Sequence, residues 1–359
     1  MRRFIPPSKV SAALQLLSVF LVTALHAQSS NFRKRVLTLA PPLTVYFIDV
    51  EGGQSTLFVT PSHQSLLVDT GWQDHDGRDA KRIVAVAKQA GLDHIDTVLL
   101  THFHPDHTGG VPNLVARIPV RAFIDHGLNR ESGSAATRQA WQQYQDVLAH
   151  SHVRHILAKP GQSIPLAGLT ATIVSADGNL LGSPLPGAGQ PNPYCKGAAT
   201  YSADPTENAR SVGIVFKYGK TRLIDLGDLT RDKEMQLMCP VNKLGTVDVY
   251  IVSHHGSPHS GSAPFIDGIA PRVAIMDNGE TKGGSPTAWD IIEKSPRLQN
   301  LWQLHYSAEG GAQHNVAAPY IANLKGGADG NYLRLSAFPD GRLIIYNSRT
   351  GQSKDYPAQ

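Results

Sequence analysis

The segment Thr-His-Phe-His-Pro-Asp-His, residues 101–107, limits the possible folds more than any other part of the sequence. It follows the apolar run TVLLT at 97–101, which is typical of a strand covered on both faces. Alternate residues of an extended segment project to the same side, so His102 and His104 are placed to face one metal ion. The segment therefore predicts a metal site at the end of a buried strand.

The same segment offers ligands for a second cation. The turn at Pro105 directs Asp106 and His107 away from the first two histidines. Imidazole and carboxylate ligands favour a borderline metal such as Zn²⁺, and the lack of thiolates argues against a structural zinc finger. The alternative is an exposed histidine-rich loop, but such a loop has no reason to keep several ligand-type side chains at a strand end.

Two further groups of ligand-type residues also follow buried strands. Asp225-Leu226-Gly227-Asp228 leaves Asp228 at a strand end, where a carboxylate can bridge two cations. Its alternative role is to cap a helix that starts near Thr230. The segment Ser253–Ser257, SHHGS, follows another buried strand, with a polar turn as its alternative. Because sites in layered α/β folds gather at strand ends, three such groups favour one shared site.

The remaining pattern predicts an α/β protein. Short strands between residues 43 and 69 precede a helix and the strand at 97–101, and a strand pair at 212–225 precedes a helix and a strand at 247–252. Two stacked sheets with helices on their outer faces, a four-layer αββα sandwich, explain this alternation. Residues 177–210 are rich in Gly, Pro, Asn and Ser, which indicates a long loop that is functional or disordered.

The start of the chain predicts an export signal. Residues 1–27 combine a basic beginning, an apolar run of about 16 residues and a final small residue, Ala27. The alternative is a retained membrane anchor, but the run is shorter than the roughly 20 residues that span a bilayer. We therefore expect a mature protein that begins near Gln28, is periplasmic or extracellular, and has no stable membrane partner.

The chain is predicted to contain one folded domain. We divide it into a signal peptide at 1–27, an N-terminal extension at 28–42, the domain at 43–350 and a C-terminal tail at 351–359. Export would place Cys195 and Cys239 in an oxidising compartment, where they could pair. Their spacing leaves both possibilities open, a disulfide or two unrelated cysteines.

The charge of the chain depends on that division. The 359 residues include 33 Lys and Arg against 29 Asp and Glu, a formal net charge of +4. Three basic and no acidic residues lie in 1–27, so the remainder holds 30 basic against 29 acidic side chains. Nucleic-acid binding needs a clustered positive surface, and the mature charge gives that partner almost no support.

These motifs resemble those of the metallo-β-lactamase-fold hydrolases. Residues 102–107 match the H-x-H-x-D-H signature, and 67–71 resemble the strand that ends in the family's aspartate. Residues 226–228 and 254–257 resemble its later Gly-Asp and His-His-Gly-Ser motifs. Together with Asn-x-x-Ser at 208–211, the last two resemble the hydrolase domain of the DNA-uptake protein ComEC.

The resemblance implies a role for each residue. The implied ligands are His102 and His104 for the first cation, Asp106, His107 and His254 for the second, and Asp228 as the bridge. Asp69 would orient a ligand, with an ordinary strand-end turn as its alternative. We place His254 as the ligand because it directly follows the strand, which leaves His255 to orient a ligand or to polarise the substrate.

One departure from the family concerns the first cation. Many members supply a third histidine to it, but no histidine lies between His155 and His254. Asn208 lies where the ComEC-like subgroup has its residue, and an amide oxygen is a weaker zinc ligand than imidazole. We therefore expect a loosely held first cation or an enzyme that uses one cation. His126 could also lean into the site, although an ordinary strand-end role is favoured.

The predicted chemistry is hydrolysis by a metal-activated water. A bound cation lowers the pKa of water toward about 7, and Asp106 is placed to orient that water or to accept its proton. His255 or Ser257 is placed to stabilise a developing oxyanion. The expected cofactor is Zn²⁺, as one or two ions, with Mn²⁺ and Fe²⁺ as alternatives.

Three functions remain open from the sequence. The ComEC-like motifs favour a hydrolase of phosphodiester substrates, nucleic acid among them. The first alternative is a hydrolase of small esters, lactones or β-lactams, which the loop at 177–210 could cover. The second is a non-catalytic metal-binding or partner-binding protein.

Overall fold

The computed structural model describes residues 40–325 and 330–359. The predicted export signal at 1–27 and most of the extension at 28–42 lie outside this range, so both stay predictions. In the described part of the chain, no helix is long and apolar enough to cross a membrane.

The strands follow one another along the whole described range. In chain order they are β1 Leu43–Phe47, β2 Thr56–Val59, β3 Ser65–Val68, β4 Thr97–Leu99, β5 Ala122–Asp125, β6 Arg154–Leu157, β7 Ser163–Leu166, β8 Leu169–Ala176, β9 Asn179–Leu180, β10 Gln190–Pro191, β11 Gly213–Tyr218, β12 Thr221–Asp225, β13 Val241–Asn242, β14 Val249–Ile251, β15 Val273–Met276, β16 Asn300–His305, β17 Ile321–Asn323, β18 Leu333–Ala337, β19 Leu343–Asn347 and β20 Gln352–Tyr356.

Helices separate the strands in both halves of the chain. They are α1 Asp74–Gln89, α2 Pro105–Thr108, α3 Val111–Val115, α4 Ala135–His150, α5 Arg231–Met238, α6 Ala263–Ile269 and α7 Pro286–Glu293. The start of α7 is fixed by Ser285, whose side chain accepts a hydrogen bond from the backbone N–H of Ala288. Pro286 stands at the first helical position, where its missing N–H costs no hydrogen bond.

Two large sheets contain most of these strands. The first has the order β20-β19-β18-β1-β2-β3-β4-β5-β6, and the second has the order β17-β16-β15-β14-β12-β11-β8-β7, with β9 paired to β8. In the first sheet β3, β4, β5 and β6 run parallel. In the second sheet β12, β14, β15, β16 and β17 run parallel. Strands β10 and β13 form a separate ribbon.

Three apolar clusters hold four layers together. The central cluster lies between the sheets, where Phe58 of β2 stacks on Phe216 of β11 with ring centres 4.3 Å apart. A second cluster packs α1, α3 and α4 on the first sheet around Ile83. A third packs α5, α6 and α7 on the second sheet around Leu237 and Phe265. The α/β fold class and its αββα layering are confirmed.

The end of the domain differs from the sequence-based boundary. The sequence predicts a tail at 351–359, but β20 pairs with β19 along its whole length, from Leu343 opposite Tyr356 to Asn347 opposite Gln352. The strand QSKDY lacks alternating apolar residues and is largely exposed, so its sequence carries no strand signal. The domain therefore extends through Tyr356.

The long loop at 177–210 is ordered where it lies over the second sheet. Cys195 and Cys239 form a disulfide, so the loop is bonded to the residue that follows α5. A 3₁₀ turn at Asn208–Arg210 ends the loop directly before β11. The bond answers the question that the spacing of the two cysteines left open, and it anchors the loop beside the strand ends.

Candidate metal site

The candidate site lies where the parallel strands of both sheets end. Residues after β3 and β4 of the first sheet meet residues after β12, β14 and β15 of the second. Carboxyl ends of parallel strands share one edge of a sheet, which is why segments far apart in sequence converge here. The sandwich thus places ligand-type side chains from both sheets around one centre.

The first group of candidate ligands has four members. They are Asp106, His107, Asp228 and His255, all buried. The Nε2 atoms of His107 and His255 lie 3.2 Å apart. The Oδ2 atom of Asp106 lies 3.3 Å from each of these two nitrogens. Four donor atoms from both sheets therefore converge on one point.

The second group has three members, His102, His104 and Asp228. The Nε2 atom of His102 lies 3.0 Å from Nδ1 of His104. The Oδ2 atom of Asp228 lies 3.9 Å from Nε2 of His102. The side chain of His104 is 20% exposed, so this group is open on one side.

Asp228 belongs to both groups. Its Oδ1 atom lies 3.3 Å from Nε2 of His107 and 3.5 Å from Nε2 of His255, whereas its Oδ2 atom faces His102. Gly227 permits this placement, because its φ is +54° and a Cβ there would lie 2.7 Å from Cβ of Thr101. One carboxylate oxygen thus faces each group, as the bridging role implied by the family motif requires.

Asp69 orients His107. Its Oδ2 atom accepts a hydrogen bond from Nδ1 of His107 at 2.7 Å. Thr101 donates to the same carboxylate from its backbone N–H at 2.8 Å and from its hydroxyl at 2.7 Å. With Nδ1 donating, the Nε2 atom of His107 presents a lone pair to the four-residue group. The structure therefore places Asp69 behind a ligand, where the sequence put it.

Two glutamates that belong to none of the sequence motifs support the second group. The Oε2 atom of Glu131 accepts from Nε2 of His104 at 3.0 Å and from the backbone N–H of Glu207 at 3.0 Å. This contact leaves Nδ1 of His104 to face His102. Glu207 is buried and lies 2.9 Å from Nε2 of His126. His126 is therefore held outside the ligand groups.

The two consecutive histidines after β14 point to different places. Both have left-handed backbones, with φ of 55° at His254 and at His255, which non-glycine residues rarely adopt. His255 joins the four-residue group and is buried. His254 places Nε2 3.4 Å from Oδ2 of Asp228 and Nδ1 3.2 Å from Oγ of Ser260. The geometry therefore favours His255 as a ligand, whereas the sequence favoured His254.

Asn208 lies in the 3₁₀ turn that precedes β11. Its side-chain oxygen is buried and has no hydrogen-bond partner within the described residues. Three residues later, Oγ of Ser211 lies 3.5 Å from Nδ1 of His102. A buried, unpartnered amide oxygen fits the weak ligand that the family resemblance implies for this residue.

The charges of the centre also fit a cation. Burial opposes ionisation of Asp106, but Lys282 and His107 hold the pKa of this carboxyl well below its usual range. Burial likewise disfavours the cationic form of His107, yet the surrounding carboxylates Asp228, Asp106 and Asp69 raise its pKa well above the ordinary value. Burial and Lys282 lower the pKa of His255, but Asp228 and Asp277 outweigh them and raise it to about 9.

The donor set passes the test that a metal site requires. Two ring nitrogens that face each other at 3.2 Å satisfy neither ring unless a cation or a proton lies between them. The Oδ1 atom of Asp228 is buried without a hydrogen-bond partner among the described residues. A divalent cation would bind these lone pairs and would replace the protons that the histidines otherwise hold. Carboxylate and imidazole donors without thiolate suit Zn²⁺, Mn²⁺ or Fe²⁺.

Two further residues reach the centre from the segment after β15. Asp277 is buried, and its Oδ1 atom lies 3.5 Å from Nδ1 of His255. Lys282 contacts the Oδ2 atom of Asp106 with its Nζ atom. The sequence predicts the strand at 273–276 but marks neither of these residues with a motif. Asp277 directly follows that strand, which is the one signal that could have found it, whereas Lys282 lies farther along the loop before α7.

A polar pocket lies between the long loop, the start of α5 and the segment after β14. It has a volume of about 190 Å³ and is lined in part by Tyr201 of the long loop, Arg231 and His259. The ring centre of His259 lies 6.1 Å from that of His254. The loop that the disulfide holds therefore forms one wall of a space beside the candidate ligands.

Comparison with known proteins agrees with this arrangement. The model of the metallo-beta-lactamase superfamily matches residues 49–190. ComE operon protein 3 of Bacillus subtilis (strain 168) is 25% identical over 251 residues, which cover 66% of this chain and 28% of that protein. A metal-dependent hydrolase of Herpetosiphon aurantiacus is 30% identical over 127 residues, which cover 35% of this chain and 44% of that protein.

The chain thus spans less than half the length of either of these relatives. Among solved structures, the metallo-beta-lactamase fold protein YhfI from Bacillus subtilis matches with 13% identity and a TM-score of 0.44, covering 73% of this chain and 95% of that one. The family model includes the signature at 102–107, while Asp228 and the histidine pair lie beyond its end. The resemblance inferred from the motifs is thus confirmed as a similarity: the chain matches the metallo-β-lactamase superfamily over residues 49–190 and ComE operon protein 3 over a longer stretch.

Proposed function

We propose that this protein is an exported metal-dependent hydrolase that cleaves phosphodiesters. The observation that carries the proposal is the carboxylate of Asp228, whose two oxygens face two separate groups of ligand-type residues. A site that holds two adjacent cations suits the displacement reactions of phosphate esters, in which two oxygens carry developing charge. The similarity to ComE operon protein 3 and the ComEC-like motifs support the same substrate class.

The proposal assigns each group a cation. Asp106, His107, His255 and Oδ1 of Asp228 would hold one, and His102, His104 and Oδ2 of Asp228 would hold the other, with Asn208 as a weak further ligand. When bound, such cations supply Lewis acidity and lower the pKa of water. The fully buried four-residue group is the better candidate for a permanently held ion.

Several side chains of the chain itself would serve the reaction. Asp106 is ionised at neutral pH because its pKa is lowered, so its carboxylate is ready to orient a water molecule. His254 is 14% exposed against 1% for His255, so it is the histidine of the pair that can touch a substrate. The contacts of Asp69 and Glu131 hold His107 and His104 in fixed orientations.

A second substrate class is favoured by one observation. The pocket of about 190 Å³ on the His259 side of His254 is closed on one side by the long loop, which suits a compact substrate better than a polymer. A small ester, lactone or β-lactam would fit such a partly closed space.

Turnover on a substrate panel tests the proposal. The mature protein, loaded with Zn²⁺ or Mn²⁺, would be incubated with bis-p-nitrophenyl phosphate, single-stranded DNA, a lactone and a β-lactam. We expect hydrolysis of the phosphodiesters and its loss in Asp106→Ala. Hydrolysis of the lactone or β-lactam, without hydrolysis of the phosphodiesters, would contradict the proposed substrate class and support the second one. No hydrolysis of any substrate by the fully metal-loaded protein would support the non-catalytic alternative.

Export is tested separately from catalysis. We expect expression of the full chain in a bacterial host to give a product in the periplasm or medium whose N-terminal residue lies near Gln28. An intact N-terminus in the cytoplasmic or membrane fraction would contradict the proposed export, and it would leave the hydrolase proposal to its own test.

A further inference from the structure

Lys282 enters the candidate site from the segment between β15 and α7. Its Nζ atom contacts Oδ2 of Asp106, the oxygen that also lies 3.3 Å from the Nε2 atoms of His107 and His255. The lysine side chain is 37% exposed, so it extends from solvent into the buried four-residue group. No motif of the sequence pointed to this residue.

The protein holds the stem of this lysine firmly. A Cβ at Gly52 would lie only 2.9 Å from Cβ of Lys282, so the loop after β1 passes directly over the stem and needs a glycine there. The backbone carbonyl of Lys282 accepts from the N–H of Gly279 at 2.8 Å. The Nζ atom also lies 5.2 Å from the ring centre of Trp72, a cation–π distance. The ammonium is therefore confined to the mouth of the site.

A cation in the four-residue group would change the surroundings of this ammonium. Asp106 would direct Oδ2 to that cation, and two positive charges next to one oxygen repel each other. The flexible end of Lys282 would then turn away from Asp106, while the loop at Gly52 keeps its stem in place. A positive charge confined beside a metal centre, with its carboxylate partner engaged elsewhere, is an anion-binding group.

We propose that Lys282 binds an anionic oxygen of a phosphate-type substrate at the mouth of the metal centre. The inference deepens the proposed function and rests on it for the identity of the substrate. It assigns Lys282 to substrate binding rather than to holding the metal. It also predicts an exchange, in which the ammonium pairs with Asp106 in the metal-free protein and with the substrate anion in the metal-loaded protein.

Titration calorimetry with inorganic phosphate tests the inference without any turnover. The proteins compared are the metal-loaded wild type, Lys282→Met, Lys282→Arg and the control Lys88→Met, whose lysine is exposed in the last turn of α1. We expect phosphate to bind Lys282→Met about tenfold or more weakly, because one charge-assisted contact is lost. We expect Lys282→Arg to recover most of the affinity and Lys88→Met to match the wild type.

Metal content, measured by mass spectrometry on the same samples, separates substrate binding from a structural role. Equal metal content with weakened phosphate binding in Lys282→Met supports the inference. Unchanged phosphate affinity overturns it, as does a loss of metal in Lys282→Met, which would make Lys282 a residue that positions Asp106. If the wild type bound phosphate but hydrolysed no phosphodiester, the proposed function would be refuted. The phosphate affinities of the variants would still test the role of Lys282.

Discussion

The two candidate cation positions are built from the same strand ends but differ in completeness. The four-residue group has ligands from both sheets, and every member is buried. The three-residue group draws two histidines from one loop, and the side chain of His104 is 20% exposed. Ligand number and burial both favour the first position, so we expect it to fill first and to retain its cation longer.

The carboxylates that orient the candidate ligands help to explain why the two positions differ. His107 is fixed through Asp69, which itself accepts two hydrogen bonds from Thr101 at the end of β4. His104 is fixed through Glu131, which belongs to the loop after β5. A carboxylate held on a strand end is positioned more rigidly than one held on a loop. The geometry of the two positions thus reflects which elements carry their outer partners.

Removal of the shared carboxylate should have the largest effect. Because one oxygen of Asp228 faces each group, we expect Asp228→Ala to weaken binding at both positions and to lower activity by at least about 100-fold. Metal content after dialysis against a chelator measures this. The control is Asp93→Ala, an exposed carboxylate that belongs to neither ligand group. Retention of one full equivalent of metal in Asp228→Ala would contradict the bridging role.

The histidine pair distinguishes the two positions. We expect His255→Ala to lose the tightly held cation, because His255 belongs to the four-residue group. We expect His254→Ala to retain that cation, because its Nε2 atom lies on the Oδ2 side of Asp228. Metal stoichiometry of the two variants decides between them. The reverse pattern would restore the sequence-based preference for His254.

Glu131 offers a selective change at the three-residue group. Glu131→Gln should weaken the cation at that position by about 10–100-fold, since an outer partner that orients a ligand typically contributes this much. Asp69→Asn is the matched change at the other position. Competition titration with a metal indicator would resolve the two affinities. If Glu131→Gln weakened both positions equally, the two groups would not be separable units.

These contacts show what the sequence could and could not specify. The signature at 102–107 and the Gly-Asp motif pointed to side chains that meet in the structure, because each follows a buried strand and strand ends converge by topology. The choice between His254 and His255 depends on the left-handed backbone conformation of both residues. Histidine rarely adopts this conformation, so the sequence does not predict it. Glu131 and Lys282 act from loops without a motif, so only tertiary structure brings them to the site.

Several strands were not predicted from the sequence, and β16 and β20 are the longest of them. No sequence pattern predicts β16 or β20, although β16 ends in His305, which is buried and lies 2.6 Å from Oδ1 of Asp49. The sequence of β16, NLWQLH, mixes polar and apolar residues, and its buried Gln303 and His305 find polar partners inside the protein. Alternation of apolar and polar residues identifies a strand that has one solvent-exposed face. It misses a strand whose polar residues form hydrogen bonds inside the protein.

The smallest expected effect concerns the scaffold behind His254. Glu234 of α5 is buried and accepts hydrogen bonds from the backbone N–H groups of Gly261 and Ser262, both at 2.8 Å. This carboxylate holds the segment whose Ser260 contacts His254. Burial raises the pKa of Glu234 from 4.5 to about 7, despite those two donors.

The sign of the pH effect is set by that raised pKa. Between about pH 4.5 and 7 the folded protein binds a proton at Glu234 that the unfolded chain has released, so stability falls as pH rises through this window and is level above it. One pKa unit corresponds to about 1.4 kcal/mol, so the free energy of unfolding should decline by roughly 3 kcal/mol from this group. Glu234→Gln does not titrate and should lack this part of the decline.

Urea unfolding of both proteins across that pH window isolates the contribution, because other titrating groups cancel in the difference between wild type and variant. We expect Glu234→Gln to lose stability relative to the wild type at low pH and to recover part of that loss near pH 8. Parallel profiles would show that Glu234 is ionised throughout and that its two backbone donors outweigh burial. In that case a charged carboxylate would hold the segment behind His254, and its contribution to stability would be level across this pH window.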